Sequence, residues 1–503
     1  MNDSNLTQRE NSAVLWNQGS TGNSALLPIT FDDTAANNNQ TKVKDHPQRW
    51  AFVGICLFSI LVTLRPQDFS QSLGDALPYA KIVAIITLVL YLGSKLQRGE
   101  RPFIWPIEMK MAVLIGLLGA LSILVAASAK DTFDVLTDPF LKVLIIFAIM
   151  INIVDSPKRL NILLNVVVAC GAMVALYTIE AYFAGDFIKG RLVVLRDTLF
   201  GNSNDLALIF DLLLPVAIVL ALYRRKTQRL LYVLAALSLG FGTLITFSRG
   251  GFLGLAAGGA VLMWKLVRSN RMAPVIAVAV LLLALLVAVP GGYGGRLMTI
   301  INIQQDETGS AQEREDLMVR ATLVALNHPI LGIGMGNFHT YSIHEKRAHN
   351  SFLEIAAELG IPGLIAFLVL VIAPLWSLRK IEVDVKQDSN SPPGDSSAQR
   401  QEIYYLSVGL QAVLVAYIVC SLFSSNQYFW YLYYPVAYAV SLRRIHAAWA
   451  ENRVSACSPL NKFEASGLES KNDSLRPVTG GVLWQSGGLK PVAESPSGVI
   501  WRS

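Results

Sequence analysis

The chain has 503 residues, of which 53% are hydrophobic and 16% charged, with a net charge of +6 and a mean hydropathy of +0.45. That balance excludes an ordinary soluble globular protein. It equally excludes a nucleic-acid binder, because the basic clusters sit in short loops between apolar runs, where they act as topology signals.

Residues 1–48 are polar, rich in Asn, Thr and Asp, and lack the apolar core of a signal peptide; they read as a disordered cytoplasmic arm. A transmembrane body spans 49–445. Its apolar runs are continuous and long enough to cross ~30 Å of hydrocarbon, whereas a β-barrel shows ~10-residue alternating segments. The fold class is therefore an all-α polytopic transmembrane helical bundle of about 12 spans. The spans fall near 50–64, 77–94, 109–127, 139–154, 160–184, 204–223, 230–247, 251–267, 272–289, 350–376, 403–424 and 427–442. A large loop at about 290–349 interrupts them, and 446–503 reads as a second disordered cytoplasmic tail.

Orientation follows from the basic residues. Lys95, Arg98, Arg101 and Lys110, then Lys158 and Arg159, Arg224 and Arg225, Lys265 and Arg268, Arg379 and Lys380, and Arg443 and Arg444 follow alternate spans. The positive-inside rule puts these loops and both termini in the cytoplasm. The other loops face outward, and they hold the unusual residues: Gly201-Asn202-Ser203-Asn204-Asp205, Ser248-Arg249-Gly250-Gly251, and the 290–349 loop with His328, His339, His344 and His349.

Cys56, Cys170 and Cys420 lie inside apolar segments and Cys457 in the polar tail, with no CxxC spacing. The histidine spacing does not suit a zinc site, there is no HExxH, and no phosphate-cradling glycine motif occurs. No metal and no cofactor is expected.

Arg249 lies on the side where arginine is disfavoured. Two readings stand: a guanidinium snorkelling to the headgroups, or an anion ligand whose neighbours Gly250 and Gly251 admit a large polar group to the backbone. Arg314 opens a segment with apolar residues at 317, 318, 321, 324 and 325, the period of an amphipathic helix suited to the membrane surface. Taken alone, Arg314 reads as a solvated charge paired with Glu313 or Glu315. His349 precedes Asn350-Ser351, which can cap a helix carrying Glu354 and Glu358 on one face, with a break at Gly360-Ile361-Pro362-Gly363. It is either a surface histidine or a base able to deprotonate a hydroxyl near neutral pH. The other three loop histidines read as structural or solvated.

These segments resemble the O-antigen ligase and polymerase superfamily of bacterial membrane glycosyltransferases. The resemblance rests on Gly201 to Ala207, the Ser248 to Gly251 turn, Arg314 with His328 to Phe338, and His349 to Glu354 with Leu359 to Gly363. It implies metal-independent, inverting transfer of an undecaprenyl-diphosphate-linked glycan on the outer face of the bacterial inner membrane. Arg249 and Arg314 would bind the donor diphosphate and His349 would serve the acceptor hydroxyl, with Asn204 and Glu354 as secondary candidates. Position 318 departs from the family, which often has an aromatic residue where this chain has Met318. The implied partners are a lipid-linked oligosaccharide or polysaccharide donor, a glycan or glycolipid acceptor, and membrane lipids. Transfer to an acceptor such as lipid A-core is the leading reading. Repeat-unit polymerisation or protein O-glycosylation by the same superfamily is the alternative, and a secondary transporter is the reading from another class, disfavoured because no repeat is visible and the candidate groups gather at one face.

Overall fold

The computed structural model describes residues 46–65, 79–185, 187–188, 191–192, 202–267, 276, 279, 310–342, 345–387 and 395–457. Most of the arm at 1–48, the ninth expected span at 272–289 apart from residues 276 and 279, residues 290–309 of the loop, His344 and the tail beyond 457 lie outside the described residues.

Among the described residues the chain is helical apart from a two-stranded antiparallel hairpin, Phe187–Ile188 with Arg191–Leu192. In order the helices are α1 (His46–Leu64), α2 (Tyr79–Arg98), α3 (Ile107–Ser122), α4 (Ala129–Val135), α5 (Leu141–Ile153), α6 (Pro157–Ala184), α7 (Ser203–Tyr223), α8 (Lys226–Ile245), α9 (Arg249–Leu266), α10 (Ser310–Asn327), α11 (Phe338–Tyr341), α12 (Ser351–Gln387), α13 (Asp395–Ser421) and α14 (Trp430–Cys457). Seven helical stretches are long and apolar enough to cross a membrane: Tyr79–Arg98, Ala129–Ile153, Pro157–Ala184, Ser203–Tyr223, Lys226–Ile245, Ser351–Gln387 and Ser397–Ser421. The protein is thus a membrane-type helical bundle with seven such segments among the described residues, where about twelve were expected over the chain. The remaining helices at expected spans are shorter, as in α1 and α3, or carry more charge, as in α14.

α7 is the axis of the bundle. Every residue from Leu206 to Leu222 is buried, because an apolar helix without a polar face is stable only when surrounded. It packs against α6, α8, α9 and α13. Pro215 sits within it without ending it.

Two boundaries differ from the sequence reading. The fourth span begins ten residues before the expected 139, because α4 and α5 are fused through a π-helical turn at Leu136–Phe140 that accommodates Pro139. Hydropathy missed α4 because it carries Lys130, Asp131 and Asp134. At the other end, α14 runs through to Cys457, past the expected boundary at 445. Ala447, Ala448, Ala450 and Glu451 are strong helix formers, and Trp449 is buried.

The basic loops converge at one end of the bundle and are tied down there. Glu108, fully buried, takes a bidentate pair from Arg443 at 2.7 and 2.9 Å. Glu382 receives Lys265 at 2.6 Å, Lys386 at 2.8 Å and Arg379 at 3.1 Å. Arg159 and Arg444 donate to the carbonyls of Ile153 and Ile151 at the C-terminal end of α5, where the helix dipole favours cations. The polar loops that carry the candidate residues gather at the opposite end.

Candidate functional site

The glycine-rich stretch after His328 builds the floor of this end. α12 is two helices joined at Gly360, which has φ 69° and ψ −170°. This is the break expected at 360–363, with Pro362 starting the second half. The break lets residues 329–334 lie against it backbone to backbone. Ile361 N–H donates to Pro329 O at 2.8 Å, Ile333 N–H to Ala357 O at 3.0 Å and Gly334 N–H to Glu358 O at 3.1 Å. A Cβ on Gly332 would stand 2.2 Å from the Glu358 carbonyl carbon, and one on Gly360 would stand 2.6 Å from Pro329 O. Both glycines also have positive φ, so no other residue fits. Asn337 then fastens this floor to the α3–α4 connection, accepting from Ser128 N–H at 2.7 Å and donating to Thr132 Oγ1 at 2.6 Å.

His349 stands at the edge of the floor in a left-handed conformation, φ 52°. A non-glycine residue held so costs on the order of 1–3 kcal/mol and persists only when its surroundings fix it. Both neighbours do. Asn350 Oδ1 caps α12 by accepting from Phe352 and Leu353 N–H at 3.0 and 3.1 Å, as expected from the sequence. On the other side, Ala348 N–H donates to Glu354 Oε2 at 2.9 Å. Glu354 also accepts from Gln427 Nε2 at 3.0 Å and from Ser425 Oγ. It is therefore the strut between the His349 turn and the connection from α13 to α14. Glu358, one turn on, accepts from Phe338 N–H at 3.2 Å and Tyr428 Oη at 2.8 Å. Burial first, and Glu358 second, push the Tyr428 phenol well above its ordinary range, so it remains a donor.

Arg249 is the first residue of α9, partly buried, behind an N-cap made by Ser248, whose Oγ accepts from Gly251 N–H at 3.1 Å. Ser248 Oγ donates in turn to Asn204 Oδ1 at 2.8 Å. Phe247 before the cap is also left-handed, φ 54°. The reading of Gly250 and Gly251 as a gap for a ligand is overturned. A Cβ on Gly250 would stand 2.8 Å from Phe423 Cβ, and one on Gly251 would stand 2.4 Å from Ala207 Cβ, so these glycines serve helix packing against α13 and α7.

The start of α7 and the His349 turn therefore meet, while Arg249, Asn204 and Arg314 are not among the residues lining two cavities at this end. A cavity of about 180 Å³ is lined by Asn202 and Asp205 at the start of α7, by His349 and Arg347, and by Ser424, Ser425, Asn426 and Phe429. Asn202 caps α7 through Asn204 N–H at 3.1 Å and donates to Asp205 Oδ2 at 2.8 Å. A larger cavity of about 350 Å³ lies beside it, sharing Arg347 and Phe429 as a wall, and lined further by Asp131, Asp134, His339, Glu345, Glu354, Glu358 and Tyr428. The Arg347 guanidinium sits 5.6 Å over the Phe429 ring and donates to Ser425 O at 3.2 Å. Three helices thus begin at this end, α7 at Asn202, α9 at Ser248 and α12 at Asn350, each presenting roughly half a positive charge.

Arg314 is partly buried in the first turns of α10. Met318, one turn later, places its sulfur 4.0 Å from Asn350 Nδ2, so the departure at position 318 falls beside the His349 turn. Glu313, one of the partners expected for Arg314, pairs with Lys346. The buried face of α10 is Leu317, Ala321, Val324 and Ala325, closed on Ala356 and Ala357 of α12. The amphipathic helix was expected, but the apolar face assigned to the membrane surface is instead a protein core.

His328 is exposed against Tyr341. His339 is not merely solvated: it lines the larger cavity, with Nδ1 2.9 Å from Gly336 O and Nε2 3.5 Å from Asp131. Arg347, Asp205, Glu358 and the 424–429 connection escaped the sequence reading. Arg347 stood two residues from His349 in a loop expected to face outward, the same signal that singled out Arg249.

Residues 233–368 match the family model described as O-antigen ligase. The motifs from Ser248 through Gly363 lie inside that range, and the match agrees with the resemblance they carry. A search of curated proteins finds no match.

Proposed function

We propose that the chain transfers a glycan from a polyprenyl-diphosphate carrier to an acceptor hydroxyl at the outer face of the cell's inner membrane, as an O-antigen ligase does. The observation that carries this reading is the meeting of helix N-termini at one end of the bundle: the start of α7 lines the His349 cavity beside Arg347, and Ser248, the cap before Arg249, is hydrogen-bonded to Asn204 at that same start. Such ends and a guanidinium favour a diphosphate. Arg249 and Arg314 would hold the donor's phosphates, and Asn204 would keep Arg249 in place through Ser248. The acceptor would enter the larger cavity, where carboxylates accept hydrogen bonds from sugar hydroxyls and Phe429 offers a ring face, with its reacting hydroxyl reaching past the shared Arg347 and Phe429 wall to His349 in the smaller one.

In the reaction the acceptor oxygen bonds to the anomeric carbon from the side opposite the diphosphate. The anomeric C–O bond breaks with its electron pair going to the phosphate, and the acceptor's proton passes to the His349 imidazole. Cations that stabilise the departing charge lower the barrier without a metal. Polymerisation of repeat units uses the same donor chemistry and is the second reading, since Arg249 and His349 serve either acceptor.

A lipid-linked glycan inventory of a deletion strain tests the assignment. Loss of capped surface polysaccharide with long lipid-linked chains intact supports ligation. Accumulation of single repeat units moves the assignment to polymerisation, and an unchanged inventory removes both. Reporters fused after Arg225 and Arg379 should read cytoplasmic, and one near residue 320 should read outside; the reverse removes the donor site.

A further inference from the structure

α10 has a second apolar face that its packing does not use. Val319 and Leu323 are each 55% exposed, Leu326 is 68% exposed and Ile330 just past the helix is 73% exposed. Their spacings of four, three and four residues put them on one stripe, opposite the buried stripe of Leu317, Ala321, Val324 and Ala325. Single exposed apolar side chains need no explanation, but four in line form a contact surface.

The surface is continuous with one already facing lipid. Pro329, beside Ile330, accepts from Ile361 N–H at 2.8 Å, and Ile361 opens the membrane-crossing half of α12. From there Ile361, Ile365, Ile372 and Trp376 form an exposed apolar row along that half, the side that meets acyl chains in a span. That bond sets Ile330 beside the start of the membrane-crossing half of α12. Asp316 and Arg320 border the stripe on one side of α10 and Thr322 on the other, as polar residues border the buried face of an interfacial helix.

We propose that α10 is seated in the outer leaflet by Val319, Leu323, Leu326 and Ile330, with bilayer acyl chains as the occupant of this stripe. This goes beyond the proposed function but rests on its outward orientation. It gives the helix a purpose: the leaflet sets the depth of α10, and with it the height of Arg314 above the hydrocarbon, where the phosphates of a lipid carrier lie.

The test is photo-crosslinking of the full chain in phospholipid nanodiscs, with benzoylphenylalanine placed singly at 319, 323 or 326 and, as an off-stripe control, at the exposed Thr322. Phospholipid adducts at the three stripe positions, several-fold above those at Thr322, are the expected result. Adducts to a second copy of the chain, or no adducts above the control, would overturn the proposal. The readout requires no turnover, so its failure is separable from failure of the glycan-transfer reading. A Leu323→Glu, Leu326→Glu double variant adds a kinetic arm: KM for the lipid-linked donor should rise while kcat is kept. An unchanged KM contradicts the seating of α10 as the means that sets Arg314.

Discussion

Ser248 and Asn204 are joined by a 2.8 Å hydrogen bond that ties the start of α9 to the start of α7 across 44 residues of sequence. Ser248 spends its lone pair on Gly251 N–H and its proton on Asn204, so the turn that sets Arg249 depends on both residues. Asn204→Ala leaves the cap but frees the turn. Glycan transfer should fall about tenfold, the loss expected from one hydrogen bond of about 1.4 kcal/mol. Ser248→Ala should cost at least as much, and the double variant should cost less than the two losses added, since they remove one shared bond. Strictly additive losses in a double-mutant cycle would show that the two residues act separately.

Arg249→Lys keeps the charge and removes the planar fork. Most transfer activity should vanish while expression and membrane insertion persist, because lysine reaches the headgroups as arginine does. A lysine variant working at nearly the parental rate would make Arg249 a boundary residue.

His349 permits a cleaner dissection than an alanine change alone. With φ 52°, the position favours glycine, so His349→Gly should raise stability by about 1 kcal/mol in thermal unfolding. The same variant should lose ~10²–10⁴-fold in turnover, the usual share of a general base. His339→Ala, which removes a group of the adjoining cavity, should cost far less turnover. Equal losses at 339 and 349 would point to the shape of the loop instead of proton transfer.

Much of this was legible in the sequence for a plain physical reason. Continuous apolar runs fix where helices lie, and the Gly360 to Gly363 cluster marks its own break. His349 and Arg249 stood out because titratable or charged side chains are rare beside apolar spans in the loops expected to face outward. Contacts between distant loops were not legible. Nothing local says that Glu354 reaches Ser425 and Gln427, more than seventy residues later, or that Gly250 is packed by Phe423. α4 was missed because its acidic residues, which line a cavity, read locally as a polar loop.

Glu354 acts as a strut, so Glu354→Gln should lower both thermal stability and turnover. One of its acceptor oxygens becomes a donor facing Ala348 N–H or Gln427 Nε2, and the mismatch should cost about 1–3 kcal/mol. Gly360→Ala tests the floor: positive φ and the Pro329 carbonyl at 2.6 Å from the new Cβ together should cost about 3 kcal/mol. A thermal midpoint unchanged in either variant contradicts the geometry described for that residue.

In the proposed reaction the arginines hold the donor and His349 serves the acceptor, two tasks divided between neighbouring parts of one site. The most direct measurement takes Arg249→Lys and His349→Gly in identical nanodiscs, titrates each with a polyprenyl-diphosphate-linked glycan, and then follows a single turnover on adding acceptor. Donor binding should weaken in Arg249→Lys, and in His349→Gly it should stay parental with a turnover reduced ~10²–10⁴-fold. Parental donor binding in the arginine variant, or full turnover in the histidine variant, would contradict that division.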